Sequence, residues 1–252
     1  MQDLSMDWGN NPVLSRLNLR MKPGERLAIV GPSGSGKSTI LKLLAGLIMP
    51  TSGQISLFGC QQTFLRLDQS HPPDVRLVFQ NPALLGSLTV EENVGFLLRR
   101  SGIVPDQTIH DLVMKSLKEV GLYNVANKLP GELSGGMQKR VSFARALTNV
   151  PSLNENSMPL LLYDEPTAGL DPIACRRIED LIVKTTTLAK GCSVVVSHVI
   201  STVERSAERV LMLYEGKFQW EGSVEEFRES KNPYVNQFRT GSLQGPIQPA
   251  EH

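Results

Sequence analysis

The sequence predicts an α/β fold with a mainly parallel β-sheet, because short apolar segments of strand type alternate with segments of helical periodicity. The apolar run Arg26–Val30 leads into a glycine-rich loop, and helical spacing follows in Ser38–Leu47. Strand patterns recur at Leu160–Tyr163, Ser193–Ser197 and Val210–Tyr214. Strands that alternate with helices in this way predict a parallel sheet covered by helices on both faces.

The middle of the chain predicts two further strands and a helical insertion. Gln54–Phe58 and Val75–Phe79 have strand character, and a polar segment that contains His71-Pro72-Pro73 separates them. From about residue 89 to 147 the periodicity is helical, so this block is expected to form an α-helical subdomain inserted into the sheet domain. Its predicted helices are Val90–Arg100, Asp106–Val120 and Ser134–Leu147.

Two polar stretches mark the expected limits of the folded core. Thr148–Met158 is rich in Asn, Ser and Pro and is predicted to be a surface loop. Residues 241–252 are polar and contain two prolines, which predicts a mobile C-terminal tail. We therefore predict a single domain over residues 1–240 with the tail behind it.

Composition narrows the class of protein. A charged fraction of 20% and a net charge of +1 are ordinary for a soluble protein and give no electrostatic reason to expect nucleic acid as a partner. Cys60, Cys175 and Cys192 are far apart in sequence, which favours reduced thiols in a cytosolic setting. No apolar run reaches the roughly 18 residues that a bilayer requires. The first ten residues lack a signal-peptide pattern, so a membrane role is expected to depend on separate membrane subunits.

The glycine-rich loop has the spacing of a phosphate-binding loop, between a predicted strand and a predicted helix. Its glycines allow backbone N–H groups to converge on phosphate oxygens, and the helix N-terminus adds partial positive charge. Lys37 is expected to reach the β- and γ-phosphates, and the Ser38 hydroxyl is expected to ligate Mg²⁺. The predicted nucleotide-binding residues of this loop are Gly31, Pro32, Ser33, Gly34, Ser35, Gly36, Lys37, Ser38 and Thr39.

Two adjacent acids, Asp164 and Glu165, follow the apolar strand Leu160–Tyr163. Both carboxylates are expected to emerge beside the phosphate loop, where Asp164 would hold Mg²⁺ directly or through water. Glu165 is predicted to be the general base that polarises the water attacking the γ-phosphate. A solvated acidic turn is the alternative, which the apolar run before the pair does not favour.

A second candidate anion site lies in Ser134-Gly135-Gly136, at the start of a predicted helix. Backbone N–H groups, a hydroxyl and the positive end of a helix together favour an anion. The single phosphate loop of the chain is already served by other residues, so this second site has no anion from its own chain.

The order of these motifs resembles the ATPase subunit of an ATP-binding cassette (ABC) transporter, over nearly the whole chain. The segment Leu133-Ser134-Gly135-Gly136-Met137-Gln138 lies between the phosphate loop and the acidic pair, as in that family. The resemblance implies a P-loop NTPase (RecA-like) core, an antiparallel β subdomain and the inserted helical subdomain, with ATP and Mg²⁺ bound. Met137 departs from the Gln of many members. Residues 152–158 look like an insertion, to which we assign no role.

The resemblance also implies roles for three single residues. His198, after the strand Ser193–Ser197, matches the switch histidine that contacts the γ-phosphate and the attacking water, although a lone histidine is more often structural. Gln80 matches the glutamine that senses Mg²⁺ and water and links the site to the membrane subunits. Trp8 matches the aromatic residue that stacks on adenine, with plain packing as the alternative.

In this family two ATPase chains pack head to tail around two ATP molecules. The resemblance therefore implies a symmetric homodimer in which Ser134, Gly135 and Gly136 of each chain contact the γ-phosphate held by the other. Asp171, at the end of Ala168-Gly169-Leu170-Asp171, matches the D-loop at the dimer interface. The same residue is also a candidate N-cap for the helix that follows.

The C-terminal part resembles one subgroup of this family. Asn232–Phe238, followed by Gly241 and Gly245-Pro246, resembles ATPases of lipid transporters that work with MCE proteins, the Mla-type systems and their chloroplast relatives. Met137 occurs in the same subgroup. An ordinary amphipathic helix, with its apolar residues packed on the core, is the alternative.

These resemblances predict an ATPase that powers transport of phospholipid or another hydrophobic substrate, together with integral-membrane permease subunits and an MCE-type lipid-binding protein. It is expected at the cytoplasmic face of the membrane, or at the stromal face in a plastid. Other importers and lipoprotein extractors remain open. The rival classes are a soluble ABC ATPase of DNA repair, chromosome organisation or translation, and a nucleotide-binding module that no longer hydrolyses ATP.

Overall fold

The computed structural model of the protein describes residues 1–69, 72–148 and 158–248. The strands in these ranges are β1 Gln2–Trp8, β2 Asn11–Leu17, β3 Arg26–Val30, β4 Ser52–Gln54, β5 Ser56–Leu57, β6 Cys60–Gln61, β7 Val75–Val78, β8 Leu160–Asp164, β9 Cys192–Val196, β10 Arg209–Tyr214 and β11 Lys217–Ser223. The α-helices are α1 Lys37–Leu44, α2 Val90–Ser101, α3 Asp106–Glu119, α4 Gly135–Leu147, α5 Pro172–Leu188, α6 Ile200–Ser206, α7 Val224–Glu229 and α8 Pro233–Thr240.

A six-stranded sheet in the order β11-β10-β3-β9-β8-β7 forms the centre of the molecule. The strands from β7 to β10 in this order pair in parallel, and β11 is antiparallel at one edge. The pairing aligns Ile29 with Val196, Asp164 with Val196, and Val78 with Tyr163. The carboxyl ends of these strands therefore meet at one edge of the sheet, where open α/β sheets bind their ligands. The predicted α/β fold with a mainly parallel sheet is confirmed.

An antiparallel layer made from the N-terminal strands, in the order β2-β1-β4, lies beside this sheet. The strand predicted at Gln54–Phe58 is divided in the structure. β4 pairs with β1, whereas β5 pairs with β6, so the chain changes its pairing partner at the buried residue Ile55. The prediction of one continuous strand is wrong here because a short run of alternating residues does not reveal such a change.

Helices α2, α3 and α4 pack around a cluster of buried side chains that continues onto β7, β8, β9 and α5. Their observed bounds agree with the predicted helices to within one residue at each end. Thr89 caps α2 through a capping box, since its hydroxyl accepts from the N–H of Glu92, and the Glu92 carboxylate accepts from the N–H of Thr89. The buried side-chain amide of Asn93 donates to the carbonyl oxygens of Leu85, Leu88 and Thr89. These bonds hold the segment that leads into α2.

The C-terminal segment, which the sequence predicts to be mobile, makes specific hydrogen bonds with the rest of the domain. Gln237 on α8 donates to the carbonyl oxygens of Ser242 and Ile247 and accepts from the N–H of Ile247 at 2.7 Å. The N–H of Gln248 donates to the hydroxyl of Tyr214, and Ile247 packs on the core beneath α8. Residues 241–248 are therefore anchored on the domain, because one buried amide side chain supplies partners for their backbone.

Some predicted features lie outside the described residues. These are His71, positions 149–157 of the predicted surface loop, which include most of the insertion 152–158, and the last four residues. Among the helices that the structure describes, none is both long enough and apolar enough to cross a bilayer.

Candidate functional site

The phosphate loop runs from the end of β3 into the first turn of α1 and is held between β10 and β2. Gly31 has φ +154°, and a Cβ at this position would lie 2.2 Å from the carbonyl oxygen of Leu213. Gly36 has φ +102°, and a Cβ there would lie 2.7 Å from Cδ2 of Leu14. Only glycine permits both the backbone conformation and the close approach. The loop conformation thus depends on the two neighbouring strands.

Lys37 folds over the loop that it terminates. Its amine donates to the carbonyl oxygens of Gly31, at 2.8 Å, and Pro32, at 2.7 Å. Burial lowers the pKa of Lys37, while the nearby carboxylates of Glu165 and Asp164 act in the opposite direction. The ammonium therefore lies between the loop carbonyls and the two acids, which is where a phosphate group of a bound nucleotide would need it.

Two serines of the loop fit a nucleotide and its metal. The hydroxyl oxygen of Ser35 is buried and has no hydrogen-bond partner among the described residues. A buried hydroxyl in this state costs about 1–3 kcal/mol, and a phosphate oxygen would provide its partner. The Ser38 hydroxyl donates to Asp164 Oδ1 at 3.1 Å, so two oxygen ligands of the kind that Mg²⁺ prefers lie together.

Asp164 ends β8 opposite Val196 of β9. Burial raises the pKa of Asp164, and the negative charge of Glu165 raises it further, against the opposing effects of the Ser38 hydrogen bond and of Lys37. The free protein thus holds a carboxylate whose charge is poorly compensated. A cation at this position would supply the missing compensation.

Glu165 has a backbone conformation that is rare for a residue with a side chain. Its φ is +44°, which costs free energy and is typical of functional sites. Its N–H donates to the carbonyl oxygen of Val196 at 2.9 Å, and its own carbonyl accepts from the N–H of Ala168. The turn that these two bonds form points the carboxylate toward the end of β9.

The structure brings Glu165 and His198 together. Glu165 Oε2 lies 2.9 Å from His198 Nδ1 and 3.3 Å from the N–H of the same histidine. The carboxylate is nearly buried, whereas the imidazole is 59% exposed. A carboxylate partner at Nδ1 fixes the proton on that nitrogen, which leaves Nε2 toward solvent for a ligand.

Gln80 and Trp8 lie at the periphery of the same edge. Gln80 is exposed and follows β7 by two residues, next to the end of β8. Trp8 ends β1 with half of its surface exposed, and it pairs with Asn11 of β2, the strand that contacts Gly36. Both positions permit the roles expected of these residues, which stay predictions.

The second candidate anion site is separate from the phosphate loop. Ser134 is the N-cap of α4, and its hydroxyl accepts from the N–H of Met137. A Cβ at Gly135 or Gly136 would meet nothing within 4 Å, so this end of α4 is open. Asp171 caps α5 by accepting from the N–H groups of Ile173 and Ala174, and these bonds lower its pKa. The helix-cap alternative for Asp171 is therefore observed, and the contacts with a second chain stay a prediction.

Two cations of α4 were not predicted from the sequence. The buried amine of Lys139 donates to the carbonyl oxygens of Pro166 and Ala168, just after Glu165. The guanidinium of Arg145 donates to the carbonyl oxygens of Pro82 and Ala83, just after Gln80. One helix therefore contacts the segment after β7 and the turn after β8. Basic residues on a helix give no sequence signal for such backbone partners.

Known proteins with recorded functions match this chain. The sequence model described as ABC transporter matches residues 14–168. Protein TRIGALACTOSYLDIACYLGLYCEROL 3, chloroplastic, of Arabidopsis thaliana is 44% identical over 98% of this chain and 74% of its own length. The intermembrane phospholipid transport system ATP-binding protein MlaF of Haemophilus influenzae is 35% identical over 98% and 92%. A dimeric ATP-binding cassette solved in a post-hydrolysis state with ADP and Pi is 30% identical, with a TM-score of 0.74, over 88% of this chain and 97% of that one.

Proposed function

The chain belongs to the ABC transporter family, and we propose that it is the ATP-hydrolysing subunit of a transporter for phospholipid or another hydrophobic substrate. Its activity as an ABC transporter ATPase follows from the family match and from the related cassettes. The choice of a lipid substrate is supported by the names of the two relatives, one of which is the ATP-binding protein of a phospholipid transport system.

The contact between Glu165 and His198 carries the assignment of the hydrolytic residues. Glu165 would accept a proton from, or polarise, the water that attacks the γ-phosphate in line. His198, held by that carboxylate at Nδ1, would direct Nε2 to the γ-phosphate and the water. Lys37 and the N–H groups of the loop would stabilise the charge that develops on the phosphate oxygens.

The residues proposed to hold Mg²⁺ are Ser38, Asp164 and Gln80. The first two already share a hydrogen bond, and the burial of Asp164 makes a cation favourable there. When bound, Mg²⁺ would neutralise negative charge on the β- and γ-phosphate oxygens. The exposed amide of Gln80 follows β7 at the same sheet edge and can supply a further oxygen.

The open end of α4 supports a homodimer with two ATP molecules between the chains. Between described residues, no hydrogen bond joins the Ser134 hydroxyl or the N–H groups of Gly135 and Gly136 to the phosphate loop of the same chain, so the proposed anion site is free for another chain. A head-to-tail partner would bring its γ-phosphate to this position. The related cassette that was solved as a dimer has ADP and Pi bound.

We further propose that the dimer binds integral-membrane permease subunits at the cytoplasmic face of a membrane, or at the stromal face in a plastid, with an MCE-type lipid-binding protein in the same complex. The names of the two relatives, a phospholipid transport system ATP-binding protein and a chloroplastic protein, support the transport role and the two possible membranes. The MCE-type partner is supported by the resemblance of Asn232–Phe238 to the Mla-type subgroup. Nucleic acid is not proposed as a partner because the net charge is only +1.

Affinity purification of the chain from its native membranes tests the proposal. A multi-span permease, an MCE-domain protein and bound phospholipid should co-purify with it, and phospholipid should stimulate ATP hydrolysis by the complex. Recovery with a permease for amino acids or ions, and without phospholipid, would contradict lipid transport but leave the ATPase assignment intact. Recovery of DNA-repair or ribosomal partners would contradict the transport role.

A further inference from the structure

Glu179 is a buried acid that the proposed chemistry does not use. It lies on α5, and only 1% of its surface is exposed. Its carboxylate accepts hydrogen bonds from the hydroxyls of Ser201, at 2.8 Å, and Thr202, at 3.1 Å, and from the guanidinium of Arg205, at 3.0 Å. All three donors are on α6. A buried charge is tolerated only with such partners, so α6 is fixed on α5 by this carboxylate.

The network continues to the loop that follows the acidic pair. The hydroxyls of Thr202 and Thr167 are 2.8 Å apart, and both residues are fully buried. Thr202 gives its single proton to the carboxylate of Glu179, which can only accept. Thr167 must then donate to Thr202. The hydrogen bonds therefore run in one direction, from Thr167 through Thr202 to Glu179.

Both threonines are close in sequence to the proposed hydrolytic residues. Thr167 is two residues after Glu165, in the turn closed by the bond from the Ala168 N–H to the Glu165 carbonyl. Thr202 is four residues after His198, in the first turn of α6. The direct contact of Glu165 with His198 is thus accompanied by a second, buried connection between the same two segments.

We propose that Glu179 is a positioning residue for ATP hydrolysis: through Thr202 and Thr167 it fixes the distance between the segments that carry His198 and Glu165. This inference rests on the proposed roles of those two residues. Among the described residues, the exposed imidazole of His198 has one side-chain partner, Glu165. The position of the His198 side chain therefore depends on how precisely α6 is placed. The buried carboxylate of Glu179 determines the placement of α6.

The test compares isosteric variants of the full-length chain. Thr202→Val removes the hydroxyl that joins Thr167 to Glu179, and Thr202→Ser keeps it. Ser201→Ala is the matched control, because it removes one donor to Glu179 but leaves the connection to Thr167. We expect Thr202→Val to lower kcat about tenfold to a hundredfold, because a misplacement of about 1 Å can cost about a hundredfold, with ATP affinity changed less than about twofold. Thr202→Ser and Ser201→Ala should keep a kcat close to that of the parent.

A second measurement separates positioning from mere packing. In ¹H–¹⁵N spectra of the imidazoles, assigned with His198→Ala, the His198 Nδ1 resonance should shift in Thr202→Val and stay in place in Ser201→Ala. An unchanged resonance, or an unchanged kcat in a less stable Thr202→Val protein, would overturn the proposal. The spectra require no turnover, so they remain informative if the parent chain fails to hydrolyse ATP, a result that would count against the proposed function instead.

Discussion

The amine of Lys139 on α4 lies 3.1 Å from the carbonyl oxygen of Pro166, the residue that follows Glu165. The helix whose N-terminus forms the candidate anion site is therefore fastened to the turn that carries the proposed general base. Burial lowers the pKa of this lysine, with Cys175 and Glu165 opposing the shift, but two carbonyl partners keep the ammonium satisfied.

Replacement of Lys139 by methionine should impair hydrolysis more than nucleotide binding. Methionine keeps the length of the side chain but leaves the carbonyls of Pro166 and Ala168 without their donor, which costs about 1–3 kcal/mol. We expect a lower kcat, a nearly unchanged affinity for ATP and a lower melting temperature. Steady-state ATPase assays with thermal unfolding check this, with Lys118→Met, on α3, as the control. A parental kcat would show that the lysine has no influence on Glu165.

Glu165→Gln should bind ATP without hydrolysing it and accumulate as an ATP-bound dimer. The amide keeps the shape of the side chain but cannot act as a base. Size-exclusion chromatography with light scattering, in the presence of ATP and Mg²⁺, measures the dimer, and Glu225→Gln on α7 is the matched control. A monomer that turns over ATP at the parental rate would contradict the assigned mechanism.

Lys37→Ala should abolish ATP binding, because the amine over the loop is the only cation that the described residues place on its carbonyl oxygens. Fluorescent-nucleotide titration provides the measurement. Lys231→Ala, at an exposed position before α8, should bind like the parent. Undiminished affinity in Lys37→Ala would show that the loop does not hold the phosphates.

The raised pKa of Asp164 predicts how stability depends on pH. A carboxyl group with a higher pKa in the folded state than in the unfolded state destabilises the fold once it is charged, and this penalty appears as pH rises from the ordinary pKa through the raised one. Asp164→Asn should therefore melt higher than the parent at pH 7 without nucleotide, and the difference should shrink at acidic pH. Equal melting temperatures from pH 4 to 8 would argue against a buried charge here.

Gln237→Ala should destabilise the protein by about 1–3 kcal/mol, since residues 242–247 lose the buried amide that binds their backbone. Deletion of residues 241–252 should have a similar effect, and the two changes together should cost little more than either one. Chemical denaturation measures all three, with Gln244→Ala as a surface control. Fully additive losses would show that the glutamine and the segment act independently.

Most of the strands that the sequence predicts well are buried on both faces. β3, β8, β9 and β10 appear as continuous apolar runs because parallel strands in this sheet contact helices on each side. β11 lies at the edge of the sheet and contains Lys217 and Glu221. It therefore has no continuous apolar run that would reveal a strand in the sequence. β1 is interrupted by the left-handed residue Asp3 and by shifts in pairing register, so its alternation is irregular.

The candidate site also contains some features that the sequence predicts and others that it does not. The phosphate loop and the acidic pair are contiguous segments whose chemistry is visible in the sequence, and the structure places Ser38 against Asp164 as that chemistry requires. The contacts of Lys139, Arg145 and Glu179 are tertiary. Their partners are backbone carbonyls or hydroxyls distant in sequence, and no local pattern specifies them.

The open N-terminus of α4 predicts how the rate of ATP hydrolysis depends on the concentration of the protein. Glu165 and His198 already touch in the single chain, whereas in the proposed dimer the donors at Ser134 would come from another molecule. Specific activity should therefore rise with protein concentration until the chains are saturated with one another. When permease subunits hold two copies side by side, the specific activity should no longer depend on protein concentration. The local concentration of one copy near the other is then set by the complex and does not fall on dilution.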